Sequence, residues 1–119
     1  MADTGSELTG DGVTHEHTEQ PPLPAVALAD YEAPGELLRA LASPVRLALV
    51  DLLGRGPRCV HELVDALSVA QPLVSQHLKT LRGAGLVSTR RRGREMVYSL
   101  SDEHVAHVVS DAITHANES

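Results

Sequence analysis

The spacing of apolar residues divides the chain into a polar tail, several short helices, one hairpin and a last helix. Residues 1–22 show no apolar period and are rich in Gly, Thr, Asp, Glu and Pro, which predicts a disordered acidic tail before one domain over residues 23–119. A short helix can form over residues 25–31. From Gly35 the apolar residues follow the helical period, and Ser43-Pro44 divides this stretch into two helices with Ser43 as N-cap.

Two further short helices are predicted after the turn at residues 54–57. The first covers residues 59–67, and a tight connection leads to the second, over residues 72–82. In the second helix the 3.6-residue period predicts that four apolar side chains point inward: Leu73, Val74, Leu78 and Leu81. This pair of helices is typical of a helix-turn-helix, with residues 60–67 as the supporting helix and residues 72–82 as the recognition helix.

The apolar period changes to two after Leu86. Two strand-like runs, joined through residues 91–94, predict a hairpin. Ser101 is expected to cap a final helix whose first turn contains Asp102 and Glu103. The resulting order predicts a mainly α (α+β) fold: a winged helix-turn-helix with a two-stranded wing and a C-terminal helix available for dimerisation.

The polar residues around the recognition helix and the hairpin tip predict a DNA-binding surface. They supply hydrogen-bond donors and acceptors for base edges, and arginines for phosphates. The predicted DNA-binding residues are Gln71, Pro72, Ser75, Gln76, His77 and Lys79 on the helix and Arg90, Arg91, Arg92 and Arg94 on the wing.

The charge distribution is consistent with a nucleic-acid partner, although the net charge of −6 taken alone argues against one. Residues 1–34 carry seven acidic residues and no Lys or Arg, whereas nine basic and three acidic residues lie between Arg46 and Arg94. For DNA binding, a basic middle segment between acidic ends matters more than the net charge of the whole chain.

Composition narrows the class of protein further. With two Tyr, no Trp and no Phe in 119 residues, the core must be built from Leu, Val, Ala and Ile. The single cysteine, Cys59, excludes an intrachain disulfide and a multi-cysteine zinc cluster. The chain shows neither a secretory signal pattern nor an apolar run of about 20 residues, so a cytoplasmic protein without membrane contact is expected.

Two histidines on the last helix predict metal sites that need a second chain. His104 and His115 are eleven residues apart. At about 100° and 1.5 Å per residue they share one face but lie roughly 16 Å apart, too far for one ion. Two antiparallel copies of the helix would pair them, and Asp102 and Glu118 lie beside them. The spacing predicts two symmetric sites across a dimer interface.

Four segments carry a resemblance to a known family. The chain resembles the ArsR/SmtB metal-sensing repressors over roughly residues 35–119, in residues 41–53 (LASPVRLALVDLL), 62–67 (ELVDAL), 71–87 (QPLVSQHLKTLRGAGLV) and 91–100 (RRGREMVYSL). The resemblance implies a winged helix-turn-helix homodimer that blocks transcription and leaves DNA when it binds metal. It is closest to the SmtB zinc-sensor branch.

The resemblance also implies which residues bind the metal. One metal site of the family uses cysteines in the supporting helix, at positions where this chain has Leu63-Val64-Asp65. Arsenic, cadmium or lead sensing at that site is therefore not expected. Its other site pairs Asp-x-His with His-x-x-Glu/His of the partner chain, which implies Asp102, His104, His115 and Glu118 as ligands of Zn²⁺. Possible additional ligands are His107, and His15 and His17 of the tail, which could complete a Ni²⁺ or Co²⁺ site.

These observations predict a homodimer that binds a palindromic operator without metal. Five residues would form the apolar dimer surface: Val105, Val108, Val109, Ala112 and Ile113. The alternatives are a metal-independent winged-helix regulator and a zinc-buffering or chaperone protein that uses the tail histidines. An enzyme is disfavoured, because the sequence shows no nucleophile–base pair and no phosphate-binding glycine pattern, and no small-molecule substrate is expected.

Overall fold

The computed structural model describes residues 19–118, so His15 and His17 lie outside the described residues. A single 3₁₀ turn, Leu28–Tyr31, replaces the short helix considered for residues 25–31. Five helices and three strands follow: α1 (Glu32–Leu41), α2 (Pro44–Leu53), β1 (Arg58–Cys59), α3 (Val60–Leu67), α4 (Gln71–Gly83), β2 (Val87–Arg92), β3 (Glu95–Leu100) and α5 (Glu103–Asn117). None of the helices in this range is long and apolar enough to cross a membrane.

Two polar side chains determine where α2 and α5 begin. The Ser43 hydroxyl accepts from the backbone N–H of Arg46 at 3.3 Å, and Pro44 occupies the first helical position, as predicted. For α5 the prediction of Ser101 as N-cap is wrong. Asp102 is the cap, because its extended backbone lets Oδ1 accept from the N–H groups of His104 at 2.8 Å and Val105 at 3.3 Å.

A three-stranded antiparallel sheet has the order β1-β3-β2. β2 and β3 pair from Val87↔Leu100 to Arg92↔Glu95, so only Gly93 and Arg94 form the tip of the hairpin. Gly93 has φ +64°, a left-handed conformation that glycine adopts without steric cost. The two-residue strand β1, which pairs Cys59 with Val97, was not predicted, because two residues are too few to show a period.

The core is aliphatic, as the composition predicts. Twelve of the buried residues form one cluster: Leu41, Leu49, Val50, Leu53, Leu63, Val74, Leu78, Leu81, Leu86, Val87, Val105 and Val109. Leu73 is a correction, since 43% of it is exposed. Val74, Leu78 and Leu81 follow the i, i+4, i+7 spacing of one helix face, and Leu73 is turned away from that face by about 100°.

Helix α5 packs its own buried face against the rest of the chain. Val105 and Val109 are 5% and 1% exposed and belong to the core, so they cannot supply the dimer surface predicted for them. The physical reason is that α5 lies across α2 and needs one apolar face to do so. Val108 and Ala112 remain exposed, and Ile113 is half-buried.

Candidate functional site

Helices α3 and α4 form the helix-turn-helix unit predicted from the sequence. Ser68 ends α3 in the left-handed region at φ 54°, where its N–H donates to the carbonyl of Val64. The chain can then turn within three residues and begin α4 with Pro72 in its first turn. Leu63 of α3 and Val74 and Leu78 of α4 are buried in the shared core, which leaves the opposite face of α4 outside.

The outer face of α4 presents polar side chains to solvent. Gln71, Pro72, Gln76 and Lys79 are exposed, and Ser75 is half-buried. Because no buried contact occupies them, the exposed amides and the ammonium group are free to meet base edges or phosphates.

His77 differs from its neighbours on α4, because its ring contacts another helix. Arg46 of α2 approaches the ring with Nη1 3.1 Å from Nδ1, while its Nε donates to the carbonyl of Ala40 at 2.6 Å. Both side chains are half-buried. The contact connects the recognition helix with α2 and with the end of α1.

The hairpin presents four arginines at one end of the sheet. Arg90, Arg91 and Arg92 close strand β2, Arg94 lies in the turn, and all four are exposed. Side chains alternate along a strand, so these guanidinium groups project from both faces of the hairpin. Strand β2 also contacts α4, and the arginines lie at the end of the same strand.

The four predicted metal ligands lie at the two ends of α5, and all are exposed. The side chain of His104 is 94% exposed, and its Nδ1 lies 3.6 Å from Oδ1 of Asp102, the oxygen that caps the helix. His115 lies in the last turn and Glu118 follows the helix end. Within one chain the two pairs do not meet, so a shared ion requires a second copy. His107 is exposed beside Gly54 and Arg55, at the end of α2.

A group of possible ligands that the sequence reasoning missed lies elsewhere. Cys59, His61 and Glu95 are the only three or more His, Cys, Asp or Glu residues within 19–118 whose ligand atoms all lie within 4.8 Å of one another. The Cys-x-His spacing of residues 59–61 is visible in the sequence, but Cys59 has no second cysteine with which to form a thiolate cluster. Glu95 comes from the wing, thirty-four residues after His61, and no local pattern connects the two.

Cys59 also belongs to the N-terminal cap of α3. Glu62 Oε1 accepts from the backbone N–H of Cys59 at 3.0 Å and from its thiol at 3.2 Å. Burial raises the pKa of the Cys59 thiol, and the hydrogen bond to the Glu62 carboxylate raises it further. The same two hydrogen bonds, the backbone one first, lower the pKa of Glu62. The thiol is therefore held protonated unless something replaces its proton.

An apolar groove lies between α1 and α5. Leu38 and Val108 are 54% and 44% exposed, and Ala33, Pro34 and Leu37 complete the lining. Adjacent exposed apolar side chains make this groove a candidate contact surface for another molecule.

Comparison with known proteins connects this arrangement to a group of bacterial regulators. The family model for bacterial regulatory proteins of the arsR family matches residues 43–89, from the cap of α2 into β2. The chain is 52% identical over 122 residues to the HTH-type transcriptional repressor SmtB of Mycobacterium tuberculosis, covering 98% of this chain and 88% of that protein. It is 40% identical over 95 residues to a probable mercury resistance operon repressor of Streptomyces lividans, covering 74% and 76%.

Solved structures show the same architecture. The homodimeric winged helix-turn-helix DNA-binding domain Mb0332 of Mycobacterium bovis, a possible ArsR-family regulator, superposes with a TM-score of 0.67 at 31% identity. The match covers 76% of this chain and 83% of that one.

Proposed function

Because the chain belongs to the ArsR/SmtB family of winged helix-turn-helix transcription regulators, which are not enzymes, we propose that it is a zinc-responsive repressor. It binds a palindromic operator as a homodimer, and Zn²⁺ held between paired α5 helices releases it. The observation that carries the DNA-binding part is that a helix-turn-helix with a polar, exposed outer face on α4 is followed by a wing with four exposed arginines.

The apolar groove between α1 and α5 is an argument for a dimer. Leu38 and Val108 would leave an apolar patch in water if the chain remained single, and a second copy covers both by a two-fold arrangement. Helix α5 is part of this patch, so the same contact brings the α5 helices of two chains together. The relative Mb0332 is homodimeric.

The donor set at the ends of α5 fits zinc. Asp102 and His104 of one chain with His115 and Glu118 of the other supply two imidazoles and two carboxylates, a suitable set for four-coordinate Zn²⁺. All four side chains are exposed, so an ion can reach them. One related protein is a probable mercury resistance operon repressor, which supports a metal as the effector.

The path from metal to DNA runs through packed helices. Helix α5 packs on α2, α2 packs on α4, and the Arg46–His77 contact also connects α2 with α4. A change in how two α5 helices cross therefore shifts both recognition helices. A further connection would run from the second ring nitrogen of a metal-bound histidine to the backbone near Gln76.

The test is a fluorescence-anisotropy titration of DNA from the chain's own upstream region, with and without Zn²⁺, Ni²⁺ and Co²⁺. Zn²⁺ is expected to weaken binding at least tenfold, which corresponds to about 1.4 kcal/mol. His104→Ala should remove this response and leave metal-free binding unchanged. Asp111→Ala, at an exposed acidic residue of the same helix that belongs to no predicted ligand set, is the matched control and should still release DNA.

The other outcomes identify the alternatives. Release by Ni²⁺ or Co²⁺ that disappears on deletion of residues 1–22 would indicate a sensor that uses His15 and His17. Operator binding that no divalent ion weakens would indicate a metal-independent regulator. Metal binding without operator affinity would indicate a zinc-buffering protein.

A further inference from the structure

His77 lies on the flank of the recognition helix α4 that faces α2, away from the centre of the outer face. At about 100° per residue, it is about 60° around the helix axis from Val74, which is buried, and about 100° from Gln76, which is exposed. Its ring is half-buried, and Nδ1 lies 3.1 Å from Nη1 of Arg46 in α2. The side chain of His77 therefore contacts the protein's own scaffold.

The chemistry of the two side chains decides which of them donates. A guanidinium group has only N–H donors, so Nη1 of Arg46 donates and Nδ1 of His77 accepts. A ring that accepts at Nδ1 is neutral and carries its proton on Nε2. A hydrogen bond with a charged donor is about twice as strong as one between neutral groups, so this contact can restrain the two helices against each other.

Arg46 is itself held in place by neighbouring groups. Its Nε donates to the carbonyl of Ala40 at 2.6 Å, and its backbone N–H donates to the Ser43 hydroxyl at 3.3 Å. The Ala40 carbonyl is one of the last four of α1, which have no partner within the helix. One planar guanidinium group thus connects the end of α1 with α4. A lysine ammonium group lacks this planar fork and does not hold both acceptors in the same way.

We propose that Arg46 and His77 are positioning residues for DNA reading: their contact fixes the orientation of α4 on α2, and His77 acts on DNA through this contact rather than by touching it. The inference rests on the proposed reading of operator DNA by the outer face of α4. Within the described residues, this is the one side-chain hydrogen bond that joins α2 to α4. The buried residues of both helices are aliphatic, and apolar contacts are non-directional, so a directional contact adds what they lack.

Operator reading depends on the orientation of α4 more than phosphate binding does. A side chain that reads a base must meet its edge at hydrogen-bond distance, whereas binding to unrelated DNA rests on charge and tolerates small rotations. If α4 adopts the reading orientation only part of the time, the apparent operator affinity falls by that fraction. Loss of the Arg46–His77 contact should therefore weaken operator binding and leave the affinity for unrelated DNA almost unchanged.

Two substitutions of His77 separate positioning from helix stability. In metal-free anisotropy titrations of the full-length protein, with DNA from its own upstream region and an unrelated duplex, His77→Leu removes the acceptor. It should lower the affinity for the upstream DNA about fivefold to tenfold, the range of a net hydrogen bond. Asparagine carries Oδ1 on Cγ, where histidine carries Nδ1, so His77→Asn should restore most of this affinity. Helix propensity predicts the opposite order, because Leu stabilises a helix better than Asn.

Substitution of Arg46 tests the other side of the contact. Arg46→Lys keeps the charge and should weaken binding to the upstream DNA as much as His77→Leu does. The double variant should be no weaker than the single ones, because both remove the same contact. Arg39→Lys is the matched control, since Arg39 lines the same groove as Arg46 but is 71% exposed and pairs with Glu36 of its own helix at 2.6 Å. It should bind like the wild type.

Three results would overturn the proposal. They are an affinity of His77→Asn as low as that of His77→Leu, an equal loss of affinity on both duplexes, and additive losses in the double variant. Gln76→Ala separates this inference from the proposed function. If Gln76→Ala weakens binding to the upstream DNA and the Arg46 and His77 variants do not, only the positioning role fails. If none of these variants weakens it, α4 does not read the operator and both fail.

Discussion

At the scale of single residues, Asp102 caps α5 and is also a proposed metal ligand, and one side chain is compatible with both roles. Its Oδ1 caps α5 by accepting from two backbone N–H groups. The side chain is 57% exposed, so the carboxylate can also meet an ion at the helix start. The capping acid and the proposed metal ligand are the same residue because both roles require an oxygen at the N-terminus of a helix that begins at the surface.

Substitution at Asp102 separates the two tasks. Asn is as good an N-cap as Asp, so Asp102→Asn should keep the stability of the fold and lose the zinc response of DNA binding. Asp102→Ala removes the cap and should lower the free energy of unfolding by about 1 kcal/mol. Urea unfolding followed by circular dichroism, together with the anisotropy titration, measures both. Equal destabilisation by the two variants would contradict the capping role.

At the scale of elements, the wing is a short hairpin that concentrates positive charge. Arg90, Arg91, Arg92 and Arg94 are all exposed within five residues, and the turn needs only Gly93 and Arg94. In the proposed function these arginines contact phosphates, which carry no sequence information, whereas side chains on α4 read bases.

This division predicts different effects of substitutions in the two elements. Arg91→Ala should weaken binding to operator and unrelated DNA alike and lower the slope of log K against log[salt] by about 0.9. Gln76→Ala should cost about 1–3 kcal/mol on the operator and little on unrelated DNA. Anisotropy titrations over a salt series check both. A sequence-dependent effect of Arg91→Ala would contradict the phosphate role.

Helix α5 has one face buried in the core and another exposed to solvent, so adjacent residues of the helix can differ in burial. Val109 is 1% exposed and Val108 is 44% exposed. Val109→Ala should lower the free energy of unfolding by about 2 kcal/mol, from lost burial and the cavity left behind. Val108→Glu should leave the helix content unchanged and weaken dimerisation, because it puts a charge on the apolar groove.

Circular dichroism, urea unfolding and sedimentation equilibrium distinguish these two effects. A Val108→Glu protein that dimerises as strongly as the wild type would show that the groove between α1 and α5 is not the dimer surface.

At the scale of the whole molecule, the proposed two-fold dimer predicts the geometry of the operator. Recognition helices related by a two-fold axis meet half-sites one helical turn apart, about 34–36 Å. Insertion of about five base pairs between the half-sites rotates one of them to the opposite side of the duplex. Affinity for the operator should then fall at least tenfold, while affinity for a single half-site stays the same. Gel-shift titrations with both duplexes measure this, and equal affinity would indicate that the chain binds DNA as a monomer.

Much of the fold could be predicted from the sequence because its determinants are local. The helical period, the Ser43-Pro44 start and the change of period after Leu86 each act over a few residues, and the structure confirms the elements that they predict. The motif segments predicted the ArsR/SmtB family, and the match of residues 43–89 and the similarity to SmtB confirm it. Residue types, and the eleven-residue spacing of His104 and His115, also sufficed to propose the ligands on α5.

The remaining features depend on contacts between residues far apart in the chain. Strand β1 exists because β3 is there to pair with it, and Val105 and Val109 face inward because α2 lies beneath them. His61 meets Glu95, and Arg46 meets His77, only after the helices and the sheet have packed. A periodic pattern states which face of an element is apolar, but not which neighbour covers that face or which distant side chain arrives beside it, because packing among all the elements decides both.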